Sequence, residues 1–152
     1  MTTPADTFLN DVWVAPDGAA YFTDSNQPES SIQYSVSTNR GQTWSKPAVL
    51  AMILPFDQGT SSVTFRTTAL PWAVADGAAF HVFWAERRSL TDPLSRIRVS
   101  SSTNGNAWSA PAMLDNAGAG HQFIPSAASA NGVTQVAWYD TRDDHAQVFT
   151  QF

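Results

Sequence analysis

Two acid–arginine pairs are the most chemically suggestive feature of this chain. Glu86 and Arg88 stand two apart in Trp84-Ala85-Glu86-Arg87-Arg88, and Asp140 and Arg142 repeat that spacing in Trp138-Tyr139-Asp140-Thr141-Arg142. Residues two apart on a strand share a face, so each acid can pair with its arginine. Repetition favours this structural reading, and such pairs contribute little stability where exposed. The other reading gives Arg142 to a ligand, because a guanidinium fork matches a carboxylate bidentately. Trp13 and Trp72 are candidate platforms for sugar stacking, and Trp44 and Trp108 read as packing residues. Asp143-Asp144-His145 has the residue types of a metal or acid–base set, but it lies between two strands and reads as a solvated turn. His81 reads as the less apolar face of a strand, and His121 sits in a Gly-Ala loop with no partner in sequence. There is no Gly-x-Ser-x-Gly elbow, no Walker motif and no dinucleotide fingerprint. With no cysteine, disulfides, thiol nucleophiles and cysteine-based metal sites are excluded. No cofactor and no metal are expected.

The elements that must position these residues are strands. Helical periodicity is nearly absent, and short β-rich runs alternate with turn residues every 8–12 positions. Strands are expected at Asp11–Ala15, Ala19–Thr23, Ser31–Ser37, Ala48–Met52, Ala79–Ala85, Arg96–Ser101, Val133–Tyr139 and Ala146–Gln151. The 152 residues suit one domain or a piece of one. At 43% hydrophobic and 14% charged, the chain is not disordered. Eight glycines and nine prolines interrupt every apolar run, which excludes a membrane-spanning helix. A net charge of -5 with eight Lys and Arg makes nucleic acid an unexpected partner. Met1 to Leu9 has neither a basic nor an apolar signal-peptide region, so none is expected in this chain.

The strands fall into repeats. Asp17-Gly18, Asp76-Gly77 and Asn131-Gly132 are turn dipeptides spaced by 59 and 55 residues. Each precedes an aromatic-rich strand ending in an acid, at Asp24, Glu86 and Asp140. Two copies then share a further block. Ser37-Thr38-Asn39-Arg40-Gly41-Gln42-Thr43-Trp44-Ser45-Lys46-Pro47 aligns without a gap on Ser101-Ser102-Thr103-Asn104-Gly105-Asn106-Ala107-Trp108-Ser109-Ala110-Pro111. The glycine supplies the positive φ of a tight turn. The small polar residue two before it, Asn39 or Thr103, can bond loop N–H groups. The tryptophan three after it can pin the turn to the sheet.

This block resembles the Asp-box, or BNR repeat, of sialidase-like β-propellers, whose pattern is Ser-x-Asp-x-Gly-x-x-Trp. The resemblance runs from about Asn10 to Phe152, with Asn39 and Thr103 at the Asp position. It implies an all-β chain, a partial propeller of about three four-stranded antiparallel blades, with hairpins built on Ser37, Asn39, Gly41 and Trp44 and on Ser101, Thr103, Gly105 and Trp108. Blade one is expected at about 9–52, blade two at about 64–115 and an incomplete blade three at about 123–152. Propellers close with ~4–8 blades. Either the chain belongs to a longer propeller, or two copies close a six-bladed ring, with Thr3–Phe8 adding the missing outer strand to a neighbour.

In sialidases the site holds three arginines for the substrate carboxylate, an aspartate acid/base and a Tyr–Glu nucleophile. By that resemblance Arg66 and Arg88 would be two of the arginines and Asp92 the acid/base. No Tyr–Glu pair is identifiable, and Phe123-Ile124-Pro125 has Phe where an arginine would stand. The incomplete set favours a non-catalytic module binding glycan or protein. An exo-sialidase-type glycoside hydrolase and a structural fragment without ligand are the alternatives. The family resemblance suggests a secreted or periplasmic location.

Overall fold

A computed structural model describes residues 7–15, 18–26, 30–56, 70–116 and 118–143, with backbone alone at 7–11, 22 and 24–26. The described residues are all-β, in three antiparallel sheets, none of them closed. The first sheet runs β1 (Thr7–Val14), β2 (Ala20–Asn26), β3 (Ser31–Ser37) and β4 (Ala48–Met52), each strand pairing with the next. The second repeats that order with β5 (Trp72–Asp76), β6 (Ala79–Arg87), β7 (Ser95–Ser102) and β8 (Ala112–Met113). The third pairs β9 (Gln122–Ala130) with β10 (Val133–Asp140). The expected strand at Ala146–Gln151 lies outside the described residues. Strands β5 and β9 were not among those expected. β5 is only five residues long and β9 is mostly alanine and serine, and their place comes from packing: β1 lies beside β5, and β5 beside β9. Thr7 and Phe8 pair with Asn26 and Ser25 inside the first sheet, so they are not a free strand for a neighbour.

The sheets stack through β6, which is dry on both faces. Phe80, Val82 and Trp84 pack with Trp13, Tyr21 and Ile32 of the first sheet. Phe83 and Ala85, on the opposite face, join Phe56, Ile97 and Phe123. This is the alternation of a strand buried on both sides. Polar bolts reinforce the stack. The Trp72 indole N–H donates to the Ala127 carbonyl at 2.8 Å, and the Gly132 N–H donates to the Asp76 carboxylate.

The turns follow the glycines. Gly18, Gly77 and Gly132 all have positive φ at the tips of the first hairpin of each sheet. At Asn131 and Gly132 both central residues are left-handed, as a two-residue hairpin of the I′ kind requires. Ile124 is also left-handed, at φ 50, next to the point where the β9–β10 register slips. A β-branched residue there stores strain.

The two Ser–Gly–Trp hairpins differ by one residue, which corrects the gap-free alignment. In the first, the Ser37 hydroxyl accepts from the Gly41 N–H at 2.8 Å, and Asn39 Oδ1 accepts from the Thr43 N–H at 2.9 Å. In the second, those roles fall to Ser102, which accepts from the Gly105 N–H at 2.9 Å, and to Asn104, which accepts from the Asn106 and Ala107 N–H groups. Ser101 and Thr103 do not take them. Ser101 instead stands where Val36 stands, each bonded to the serine after the tryptophan, Ser109 or Ser45. The extra residue of the first hairpin is Arg40, left-handed at φ 58 beside Gly41 at φ 79. The second turn needs only Gly105, at φ 69. Trp108 reaches back to Tyr34, with ring centroids 5.6 Å apart.

Two expected outcomes follow from this geometry. A Cβ on Gly105 would meet the Tyr21 ring at 2.5–2.7 Å, whereas one on Gly41 meets only Trp44 at 3.9 Å. Gly105→Ala therefore lowers stability in urea by more than about 2 kcal/mol, from strain plus overlap. Gly41→Ala lowers it by about 1 kcal/mol, from backbone strain alone. Asn104→Ala orphans two turn N–H groups and costs about 1 kcal/mol, while Thr103→Ala stays within about 0.5 kcal/mol of wild type. Equal losses at 103 and 104 would overturn the one-residue slip.

Candidate functional site

Strand direction separates two ends of the stack. The Ser–Gly–Trp hairpins lie at the end where β5 turns into β6. The charged residues lie at the other end, where β6 passes to β7 and β10 finishes. A cleft of about 340 Å³ opens at the hairpin end, lined by Ala15, Tyr21, Gly77, Phe80, Thr103 and Asn104. None of the residues singled out for binding or catalysis lines it.

At the charged end, each described arginine candidate already holds a carboxylate. Arg88 Nε lies 3.0 Å from Asp92 Oδ2 in the loop after β6. That loop is tightly made: Ser89 Oγ accepts from the Asp92 N–H at 2.9 Å, and Asp92 Oδ1 accepts from the Leu94 N–H at 3.0 Å. The expected Glu86–Arg88 pair is therefore corrected. Glu86 instead bonds Arg98 of β7 at 2.9 Å and accepts from the Leu54 N–H at 3.3 Å. Its face is buried against the chain leaving the first sheet, whereas Arg88 lies beyond the strand end, where the two-residue alternation no longer governs. Burial raises the Glu86 pKa, against the Arg98 charge and these hydrogen bonds, which lower it.

The second acid–arginine pair does form. Arg142 Nε donates to Asp140 Oδ2 at 2.9 Å, and Nη2 donates to Asp140 and, at 3.0 Å, to Asp115. Gln122 Nε2 donates to Asp115 at 2.8 Å, and Trp138 Nε1 donates to Asp140 at 3.4 Å. Burial works to raise the Asp140 pKa, but the Arg142 and Trp138 hydrogen bonds outweigh it and hold the carboxyl below its usual range. Arg142 is correspondingly raised. Its side chain remains 43% exposed.

Two residues of this end, Arg96 and Gln122, were not singled out from the sequence, and His121 has the partners that its local sequence lacks. Arg96 is fully buried, and its Nη1 donates to the Ser95 and Gly120 carbonyls, both at 2.7 Å. Gln122 is fully buried between Asp115 and the Ile97 N–H. His121 stacks on Phe56 at 4.6 Å, and its Nδ1 accepts from the Ser95 N–H at 3.3 Å. Each has a partner far along the chain, Gly120 24 residues from Arg96, Ile97 25 from Gln122 and Ser95 26 from His121, so no local pattern announces them. An arginine opening an alternating strand was the only available signal.

The remaining candidates take other places. Trp13 is buried and stacks on Tyr21 at 5.2 Å, so it is core, not an open sugar platform. Trp72 is 38% exposed but spends its N–H between sheets. His81 Nδ1 lies 2.8 Å from Ser101 Oγ. Arg66, Asp144 and His145 lie outside the described residues. Among the described residues, no three His, Asp or Glu side chains gather as metal ligands would.

No protein-family model and no curated protein matches the sequence. Among solved structures, the chain is similar to NanB, a sialidase, in "NanB plus Optactamide". The match has 18% identity and a TM-score of 0.53, covering 88% of this chain and 19% of NanB. The chain thus spans about a fifth of NanB's length, and the likeness is one of fold: sialidase-like and all-β.

The half-buried His121 imidazole predicts a pH dependence. Burial first, and the Arg96 charge second, lower the His121 pKa, with Asp92 partly opposing; burial also lowers that of His81. The unfolded chain takes a proton near pH ~6.5 that the folded imidazoles refuse. Stability is therefore full above that pH and falls as pH drops below it, until the folded imidazoles protonate. Glu86 acts oppositely, so the comparison with His121→Gln isolates the His121 share. Melting midpoints measured across this window should fall less steeply in His121→Gln than in wild type.

Proposed function

We propose that this chain is a non-catalytic, sialidase-like propeller module that binds a glycan at the charged end of its blades. The three sheets are then blades one to three, at about 9–52, 64–115 and 123–152, and the neighbouring first strands β1, β5 and β9 line the axis. The observation that carries the non-catalytic reading is the pairing of the two described arginine candidates, Arg88 and Arg142. Arg88 is held by Asp92, and Arg142 bridges Asp115 and Asp140. A substrate carboxylate would have to displace a carboxylate of the chain itself. Asp92, tied to Arg88 and to the Leu94 N–H, is poorly placed to pass a proton to a leaving group.

The same arrangement suits sugar hydroxyls. Among the described residues, the Arg142 Nε and Nη2 donors are taken, and Nη1 takes no partner. A guanidinium fixed by two carboxylates loses little freedom on binding. The Arg88–Asp92 pair offers further donors and acceptors about a third exposed. The alternative, an exo-sialidase-type hydrolase, draws on the fold likeness and would need Arg66.

Binding to immobilised neutral and sialylated glycans tests the reading. A binder should lose about tenfold in affinity with Arg142→Ala, the effect of removing one charge-assisted hydrogen bond. A fluorogenic sialoside should not be turned over. Turnover lost in Arg88→Ala would establish the hydrolase instead.

A further inference from the structure

The sequence holds two Asn-Gly steps, Asn104-Gly105 and Asn131-Gly132. Such a step can turn its asparagine into an acid with water as the only co-reactant. The glycine nitrogen gives up its proton to solvent and attacks the side-chain carboxamide carbon. The bond from that carbon to the amide nitrogen breaks, ammonia leaves with a proton from solvent, and a cyclic imide remains. Water then opens the imide at either carbonyl, giving aspartate or isoaspartate. Glycine favours the attack because no side chain crowds its nitrogen. The fold decides whether nitrogen and carbon can meet, and it treats the two steps differently.

At Asn104 both reacting groups are tied down. Its Oδ1 accepts from the Ser102 hydroxyl at 3.2 Å, the Asn106 N–H at 3.0 Å and the Ala107 N–H at 2.9 Å. The Gly105 N–H donates to Ser102 Oγ at 2.9 Å. Gly105 is buried, with the Tyr21 ring where a Cβ would stand. Cyclisation there would require the hairpin to open.

At Asn131 the side chain is exposed and takes no partner among the described residues. Asn131 and Gly132 are the left-handed corners of a two-residue turn, at φ 54 and 76. One contact holds the reacting nitrogen: the Gly132 N–H donates to the Asp76 carboxylate, at the β5–β6 turn of the second sheet. That bond slows the attack, because the nitrogen must lose its proton beside a negative charge.

We propose that Asn131 is a spontaneous modification site of the folded chain, converting to aspartate or isoaspartate at a rate set by the Asp76 carboxylate. The product acts on the stack. Aspartate puts a second negative charge beside Asp76, and the two repel. Isoaspartate lengthens the backbone of a turn whose geometry is fixed by its two residues. Either change weakens a bond that joins the second sheet to the third. The turn lies at the hairpin end, so the modification is independent of the glycan reading.

Incubating the full chain at mildly alkaline pH tests this, with mass spectrometry of chymotryptic peptides, which separate the two sites at Trp108. The amide-to-acid mass gain should appear at Asn131 while Asn104 stays unchanged. In urea, where both steps are released, the two should convert at similar rates. Folded Asp76→Ala should convert at Asn131 about tenfold faster than wild type, the weight of one hydrogen bond to a charged group. Asp76→Asn is unsuitable, because it would create a third Asn-Gly step at Gly77. Asp76→Ser serves should the alanine variant misfold. The melting midpoint of wild type should fall as conversion proceeds. Asn131→Gly, which accepts the left-handed turn and cannot convert, should keep its midpoint. Equal rates at the two sites in the folded chain would overturn the proposal, as would a preference for Asn131 that persists in urea. So would an unchanged rate without the Asp76 carboxylate, or an unchanged midpoint after conversion.

Discussion

Strand β6 sets the constraint on which the rest depends. Val82, Phe83, Trp84 and Ala85 are consecutive and all buried, so both faces of the strand must be covered. One sheet cannot do that for itself. Burying a large apolar side chain is worth about 1.5–3 kcal/mol, and those gains are lost if either neighbour is missing. The second sheet is therefore stable only as the middle of a stack, and a two-stranded ribbon such as β9–β10 has little independent stability until it covers Phe83 and Ala85. The architecture is cooperative in the way of repeat proteins, where each unit completes its neighbour.

The acids at the strand ends serve that stacking before any ligand. Glu86 accepts from Leu54, in the segment leaving the first sheet, and Asp140 meets Gln122, in the strand after the second crossover. Each acid thus anchors the chain near where it passes between sheets. The arginines then divide: Arg98 neutralises Glu86 inside the sheet, while Arg142 stays with Asp140 and reaches Asp115 in the crossover. A repeated Trp-x-acid-x-Arg segment can therefore hold different partners in successive sheets. What repeats is the anchoring of a crossover, and the partner of the arginine is a local matter. Arg96 completes the pattern, because it is buried and holds the 119–120 carbonyls that no strand satisfies.

Local chemistry was legible in the sequence wherever it was decided within a few residues. The Gly18, Gly77 and Gly132 turns, the two Ser–Gly–Trp hairpins and strands such as Ser31–Ser37 and Ala48–Met52 are of this kind. The misses have distant causes. Short β5 and alanine- and serine-rich β9 have modest strand preference and exist because β1 and β6 flank the one and β5 and β6 the other. Ser101 and Thr103 looked equivalent to Ser37 and Asn39 because the tryptophans and glycines align. The slip emerges only when the hydroxyl and amide bonds place Ser102 and Asn104 there. Trp13 is a residue whose type permits two roles, and the Tyr21 ring against it decides for the core.

The two ends of the stack differ in what holds them. At the hairpin end, Tyr21 stands so close to Gly105 that no side chain fits between, and Tyr34 reaches the Asn106 carbonyl. Aromatic packing between sheets fixes that end and leaves it little room to change. At the charged end, cohesion comes from ion pairs and side-chain amides. The Arg88–Asp92 and Arg142–Asp115 pairs are partly exposed, so they are screened and their remaining donors and acceptors face solvent. Hydroxyls could bond to those groups without disturbing the core. Solvent-facing polar groups at the charged end and tight packing at the hairpin end therefore coexist in one short stack of sheets.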